Sequence, residues 1–210
     1  FGNLASCPFM KKDTDTYLSP ELSQLLLIDH QPSRAAVVQS MDQQLLKSNT
    51  LALTRAASAS GIPVTLTSLD STPDAPQFYG PLEEGGVKLP TVTRRTADVW
   101  DDADLMAALA VQARRQLVLS GLWTECSVCW SAMSTMRGAN YSVFVVTDTC
   151  GGTTAERHAM ACQRMTLAGA HLVTLQQVLG DWRREPATPR SVRESSTAGA
   201  KVSIRQAGLR

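Results

Sequence analysis

The sequence predicts an α/β protein with a mainly parallel sheet covered by helices on both faces, and two observations carry that prediction. The first is a series of short, continuous apolar runs: QLLLID (24–29), PVTLTSL (63–69), QLVLSG (116–121), YSVFVVTD (141–148) and HLVTL (171–175). Runs of strand length that are apolar throughout belong to strands buried on both sides. The second is that helical patterns lie between these runs, so the chain reads as βαβ units with right-handed crossovers.

The elements follow in order. A helix is expected over 42–60, opening at Asp42 and stopping at Gly61-Ile62-Pro63, with Leu45, Leu46, Asn49, Leu53 and Ala56 spaced for one face. Residues 70–102 are loaded with Pro and Gly and read as a long loop without regular structure, which in a compact domain is often functional. A helix over 101–114 starts with three aspartates near its positive end. Another, over 153–168, opens with Thr-Thr-Ala-Glu in a capping-box arrangement. Residues 1–17 read as an N-terminal extension and 186–210, rich in Ser, Ala, Arg and Gly, as a disordered tail; a single domain over 18–185 remains.

Composition narrows the function. Twenty basic and nineteen acidic residues leave a formal charge of +1, which removes the electrostatic case for a nucleic acid or anionic membrane partner. No apolar run approaches the roughly 18 residues of a membrane span. Five cysteines, at 7, 126, 129, 150 and 162, are odd in number and unevenly spaced, the pattern of reduced thiols in a cytoplasmic protein. The CxxC pair Cys126 and Cys129 has no second pair, and His30, His158 and His171 show no ligand spacing to it, so no metal site is expected. There is no GxGxxG after the first strand, no P-loop and no GxSxG elbow, so no cofactor is expected.

Ligands of parallel sheets sit at the carboxyl ends of the strands. That singles out Asp29 and His30 after the first strand, Asp70 after the second, WTECS (123–127) after the third run and DTCGG (148–152) after the fourth. GLWTECSVCW (121–130) places Cys126, Ser127 and Cys129 at the start of a helix, where a thiol is readily ionised and a hydroxyl needs a neighbouring base. At about 100° per helical residue, Cys129 lies about 200° around from Ser127, while Cys126 precedes it by one position. Local spacing leaves the nucleophile open among them.

LLLIDHQP (25–32), NTLALTRAASASGIPVTLTS (49–68), RRTADVWDDADL (94–105), GLWTECSVCWSAMS (121–134), VFVVTDTCGGTTAERHAMACQRMTLAGA (143–170) and DWRRE (181–185) resemble, in order, the isochorismatase-like hydrolases. The likeness is greatest to a bacterial subgroup with Asp-His-Gln after the first strand and Gly-Leu-Trp-Thr-Glu before the nucleophile. The resemblance implies a three-layer αβα fold with a six-stranded parallel sheet, a homo-oligomer, and cofactor-independent hydrolysis of a small molecule.

In the cysteine hydrolases of that family an Asp, a middle-loop Lys and a Cys do the chemistry. Carried over by position, these are Asp29, Arg94 (with Arg95 adjacent) and Ser127, so two of the three residue types are changed. Cys126 is the alternative nucleophile. The resemblance also implies a cis peptide between Leu122 and Trp123 that, with Ser127, serves the substrate oxyanion, and a pocket lined by His30, Arg95 and Thr124. The leading expectation is hydrolysis of a C–N bond in an amide-like substrate. Two alternatives stand beside it: vinyl-ether hydrolysis with Asp29 as general acid, and a catalytically degenerate ligand-binding or scaffold protein.

Overall fold

The structure is a computed structural model that describes residues 17–70, 89–138 and 141–184. The N-terminal extension, the C-terminal tail and most of the long middle loop expected from the sequence lie outside the described residues.

Six strands form one parallel sheet in the order β3-β2-β1-β4-β5-β6. They are β1 (Ser23–Ile28), β2 (Val64–Leu69), β3 (Thr91–Arg94), β4 (Gln116–Gly121), β5 (Ser142–Val146) and β6 (His171–Val173). Every residue of the central strands β1 and β4 is buried, which is why their sequences read as unbroken apolar runs. Strand order reverses between these two, so their carboxyl ends flank a crevice of the kind that holds ligands in open α/β sheets.

The strand β3 corrects the expectation of a structureless loop over 70–102. It has four residues, of which only Arg94 is buried, and it lies at the sheet edge paired with β2. So short and exposed an edge strand carries no apolar periodicity to be read.

The helices are α1 (Pro32–Ala35), α2 (Gln43–Ala59), α3 (Ala103–Val111), α4 (Cys129–Gly138), α5 (Ala155–Ala168) and α6 (Leu175–Arg183). Asp42 caps α2 by accepting from Leu45 N at 2.8 Å. Its buried face is Leu46, Thr50, Leu53, Thr54 and Ala57, rotated from the expected one, and Leu45 is exposed. Asp102 caps α3 in the same way. Thr154 caps α5 by accepting from Arg157 N, which puts Arg157 and not Glu156 at the third position; the reciprocal box forms instead at the start of α6, between Thr174 and Gln177.

Period-two alternation along the strands divides the core in two. Leu25, Leu27, Leu66, Val118 and Phe144 face α2 and α6, where they meet Leu46, Leu53, Val178 and Trp182. Leu26, Ile28, Leu117, Leu119 and Val143 face α3, α4 and α5, where they meet Leu105, Leu109, Ala132 and Met165. This is the three-layer αβα arrangement. At the crevice, Gly121 ends β4 so close to β1 that a Cβ on it would lie 2.7 Å from the Ile28 carbonyl oxygen. No helix among the described residues is long and apolar enough to cross a membrane.

Candidate active site

The chain leaves β1 at Asp29 through a left-handed conformation, φ 55°, that a short polar side chain tolerates better than most. This turn, tied by Asp29 N to Thr67 O at 2.9 Å, directs the carboxylate across the carboxyl end of β2. Arg94, in register with Leu69 at the end of β3, meets it with two parallel bonds: Nη1 donates to Oδ1 at 2.9 Å and Nη2 to Oδ2 at 2.6 Å. Such a forked contact is the strongest geometry for a guanidinium and a carboxylate, and both side chains are fully buried.

Ser127 arrives from the other side of the crevice. After β4 the chain passes through a cis peptide between Leu122 and Trp123, as the resemblance implies, and then a π-helical turn, Thr124–Val128, that runs into α4. Within this turn Ser127 Oγ donates to Asp29 Oδ2 at 2.9 Å. Leu69 N donates to Oδ1 at 3.0 Å, so each carboxylate oxygen accepts two hydrogen bonds. Asp29, Arg94 and Ser127 are therefore one buried cluster, as their matched positions imply.

The remaining expected site residues are placed differently. Cys126, beside Ser127, makes no hydrogen bond to the cluster; burial pushes its thiol up, Glu125 adds to this, and Arg34 and Arg157 only partly oppose it. Cys129 is buried on the far side, as its angular offset predicts, and burial raises its thiol too. His30 is not a pocket residue: its Nε2 lies 2.9 Å from Ser120 Oγ in the core, where burial lowers its pKa to about 4 against the opposing pull of Asp29. Arg95 is exposed, because alternation at the end of β3 turns Arg94 inward. Thr124 also turns away, with its N–H on Gly151 O at 3.0 Å and its hydroxyl 2.9 Å from His158 Nδ1.

Two supporting residues escaped sequence reasoning. Thr67 Oγ1 accepts from Arg94 Nη1 at 3.3 Å and donates to Val92 O, bracing the guanidinium; its signal was a threonine inside an otherwise buried strand. Glu125 Oε1 accepts from both the N–H and the hydroxyl of Thr153, fastening the Ser127 turn to the loop before α5. Asn49, which the sequence places on one face of the helix over 42–60, donates its Nδ2 to Asp148 O at 2.9 Å and so anchors the loop after β5. Trp123 packs, its Nε1 donating to Arg34 O while the Arg34 guanidinium lies 4.7 Å over the ring. The four described cysteines are free thiols, and no group of three metal-ligating side chains occurs among the described residues.

Chemically, the cluster joins a hydroxyl to a carboxylate that a guanidinium holds in place. Arg94 cannot act as a base, since guanidinium keeps its proton in proteins. Among the described residues, the group in contact with the Ser127 hydroxyl that is able to take its proton is Asp29.

Comparison with known proteins agrees with this architecture. The Isochorismatase domain family matches residues 23–177. The Escherichia coli protein named Probable hydrolase YcaC is 30% identical over 167 residues, covering 77% of this chain and 79% of that protein. Its crystal structure, described as an octameric hydrolase of unknown specificity, superposes with a TM-score of 0.76 at 29% identity, over 80% of this chain and 83% of that one. YcaC from Pseudomonas aeruginosa, crystallised with hexane-2,5-diol and covalent acrylamide, gives a TM-score of 0.76 at 25% identity, over 88% and 98%. On a domain match that spans most of the chain and a full set of six parallel strands in the family's order of motifs, the chain belongs to the isochorismatase family of hydrolases.

Proposed function

We propose that this protein hydrolyses the C–N bond of a small amide-like substrate without a cofactor, with Ser127 as nucleophile, and that it assembles with copies of itself. The observation that carries the chemistry is the continuous contact from Ser127 Oγ through Asp29 to Arg94. Ser127 Oγ attacks the substrate carbonyl carbon while its proton passes to Asp29 Oδ2. The amine departs with that proton, leaving an acyl ester on Ser127 that water then hydrolyses. Arg94 orients the carboxylate, and its buried Nε, which has no acceptor among the described residues, is a donor available to a substrate oxygen. A carboxylate is a weak base for a hydroxyl, so the expected turnover is slow.

The vinyl-ether reading requires Asp29 to carry a proton. Both its oxygens already accept two hydrogen bonds, and a proton on either would displace a donor, which favours the amide reading. The octameric state described for the E. coli relative supports the assembly.

The test is turnover of a panel of small primary amides by the wild-type protein, Ser127→Cys and Asp29→Ala. A thiol at the helix start ionises far more readily than a hydroxyl, so Ser127→Cys is expected to raise turnover by on the order of tenfold or more and to form a covalent acrylamide adduct at residue 127. Asp29→Ala is expected to lose roughly a hundredfold. A cysteine variant with neither gain nor adduct refutes nucleophilic catalysis at this position.

A further inference from the structure

Helix α5 buries only Ala161 and Met165 fully, and its outer side is unusual in carrying large apolar side chains: Met160 is 55% and Leu167 83% exposed. At about 100° per residue, Met160 and Leu167 fall within about 20° of each other on the helix surface. Glu156, Met160 and Arg164 form one i, i+4, i+8 ridge, and neither Glu156 nor Arg164 makes an ion pair within the protomer among the described residues. The same three side chains, with Glu125, Cys129, Arg157 and Ala161, line a cleft of about 440 Å³ between α5 and the start of α4.

We infer that α5 packs against α5 of a second copy of this chain across a two-fold axis passing near Met160. When the helices run antiparallel across it, a two-fold axis brings residue 160+n of one helix against residue 160−n of the other, the arrangement in which the charges on this ridge attract. Met160 then meets its own counterpart, Glu156 meets the other copy's position 164, an arginine, and Arg164 meets position 156, a glutamate. Charges of opposite sign, four residues either side of an apolar centre, are self-complementary in an isologous contact; a foreign partner has no need of that symmetry. Ridges of i±4n residues pack into each other at crossing angles of about 50°, and the cleft that the ridge lines is a hole for a methionine knob. The inference rests on the assembly part of the reading above and is independent of the chemistry at Ser127.

The experiment is light-scattering mass determination of the full chain as wild type, Glu156→Arg, Arg164→Glu and the double reversal, with circular dichroism to confirm folding. Each single reversal sets like charges against each other across the axis and is expected to lower the assembly mass by roughly half, and the double reversal to restore it. A second measurement does not depend on how the charge variants fold. Met160→Cys is expected to form a disulfide-linked dimer on mild oxidation, and Leu167→Cys, which lies away from the axis, is not. A monomeric wild type overturns both the assembly reading and this contact. An oligomeric wild type whose mass the single reversals leave unchanged, or which Met160→Cys does not cross-link, overturns the contact alone.

Discussion

Ser127 and Asp29 lie 98 residues apart in sequence and 2.9 Å apart in space, hydroxyl to carboxylate, at the one point of the sheet where strand order reverses. That contact is the junction between two supports built separately. Asp29 is held by its left-handed turn, by Leu69 N and by Arg94, while Ser127 is held by the π-helical turn that Glu125 fastens to Thr153. Disturbing either support should move the contact.

Arg94→Met removes one member of a fully buried pair and strands the Asp29 carboxylate. The expected cost is roughly 3–5 kcal/mol, because the charge that stays behind has lost its compensation. Combining Arg94→Met with Asp29→Asn should recover part of that loss, since the neutral amide leaves no stranded charge and, like aspartate, tolerates the left-handed conformation at this position. Urea unfolding of the wild type and the two variants measures this; an Arg94→Met variant as stable as the wild type would show that the pair is not held in the folded protein.

Gly121→Ala places a methyl 2.7 Å from the Ile28 carbonyl oxygen and 2.7 Å from its Cβ. The β1 backbone cannot yield there without shifting Asp29, the next residue. The variant should lose roughly 1–3 kcal/mol of stability and a larger share of activity than of fold. Thermal unfolding read beside turnover separates the two effects.

His30 gives the protein an acid-sensitive core. Its folded pKa is depressed to about 4 by burial, below the ordinary value of 6.5, so the unfolded chain binds the proton more readily. The stability held by neutral His30 is therefore complete above about pH 6.5 and is lost as pH falls towards 4, by roughly 3 kcal/mol in all. His158, lowered by burial, acts in the same direction. Unfolding free energies between pH 7 and pH 4 should show this decline, and His30→Gln should flatten it.

Cys126 is the thiol nearest in sequence to the proposed nucleophile, yet burial and Glu125 both hold its pKa up. It should alkylate with iodoacetamide at pH 7 more slowly than a free thiol, and Cys126→Ser should leave amide turnover unchanged. Peptide mass spectrometry over the alkylation time course checks the first, and a steady-state assay the second. Loss of turnover in Cys126→Ser would move the nucleophile to that residue.

The alternation of strands and helices, the cap at Asp42, the buried far-side position of Cys129 and the order of the family's motifs were all legible in the sequence, because each is written in local periodicity or in short collinear patterns. The matched positions also brought Asp29, Arg94 and Ser127 forward as one set. What the sequence by itself did not determine is which way neighbouring side chains turn. Arg94 points inward and Arg95 outward because β3 is an edge strand, which four mostly exposed residues could not announce. His30 enters the core and Thr124 turns to His158 because Ser120 and His158, distant in sequence, supply their partners. Tertiary structure decided these orientations, since a side chain's direction at a strand end or helix start is set by the hydrogen-bonding partner that the packed chain brings to it.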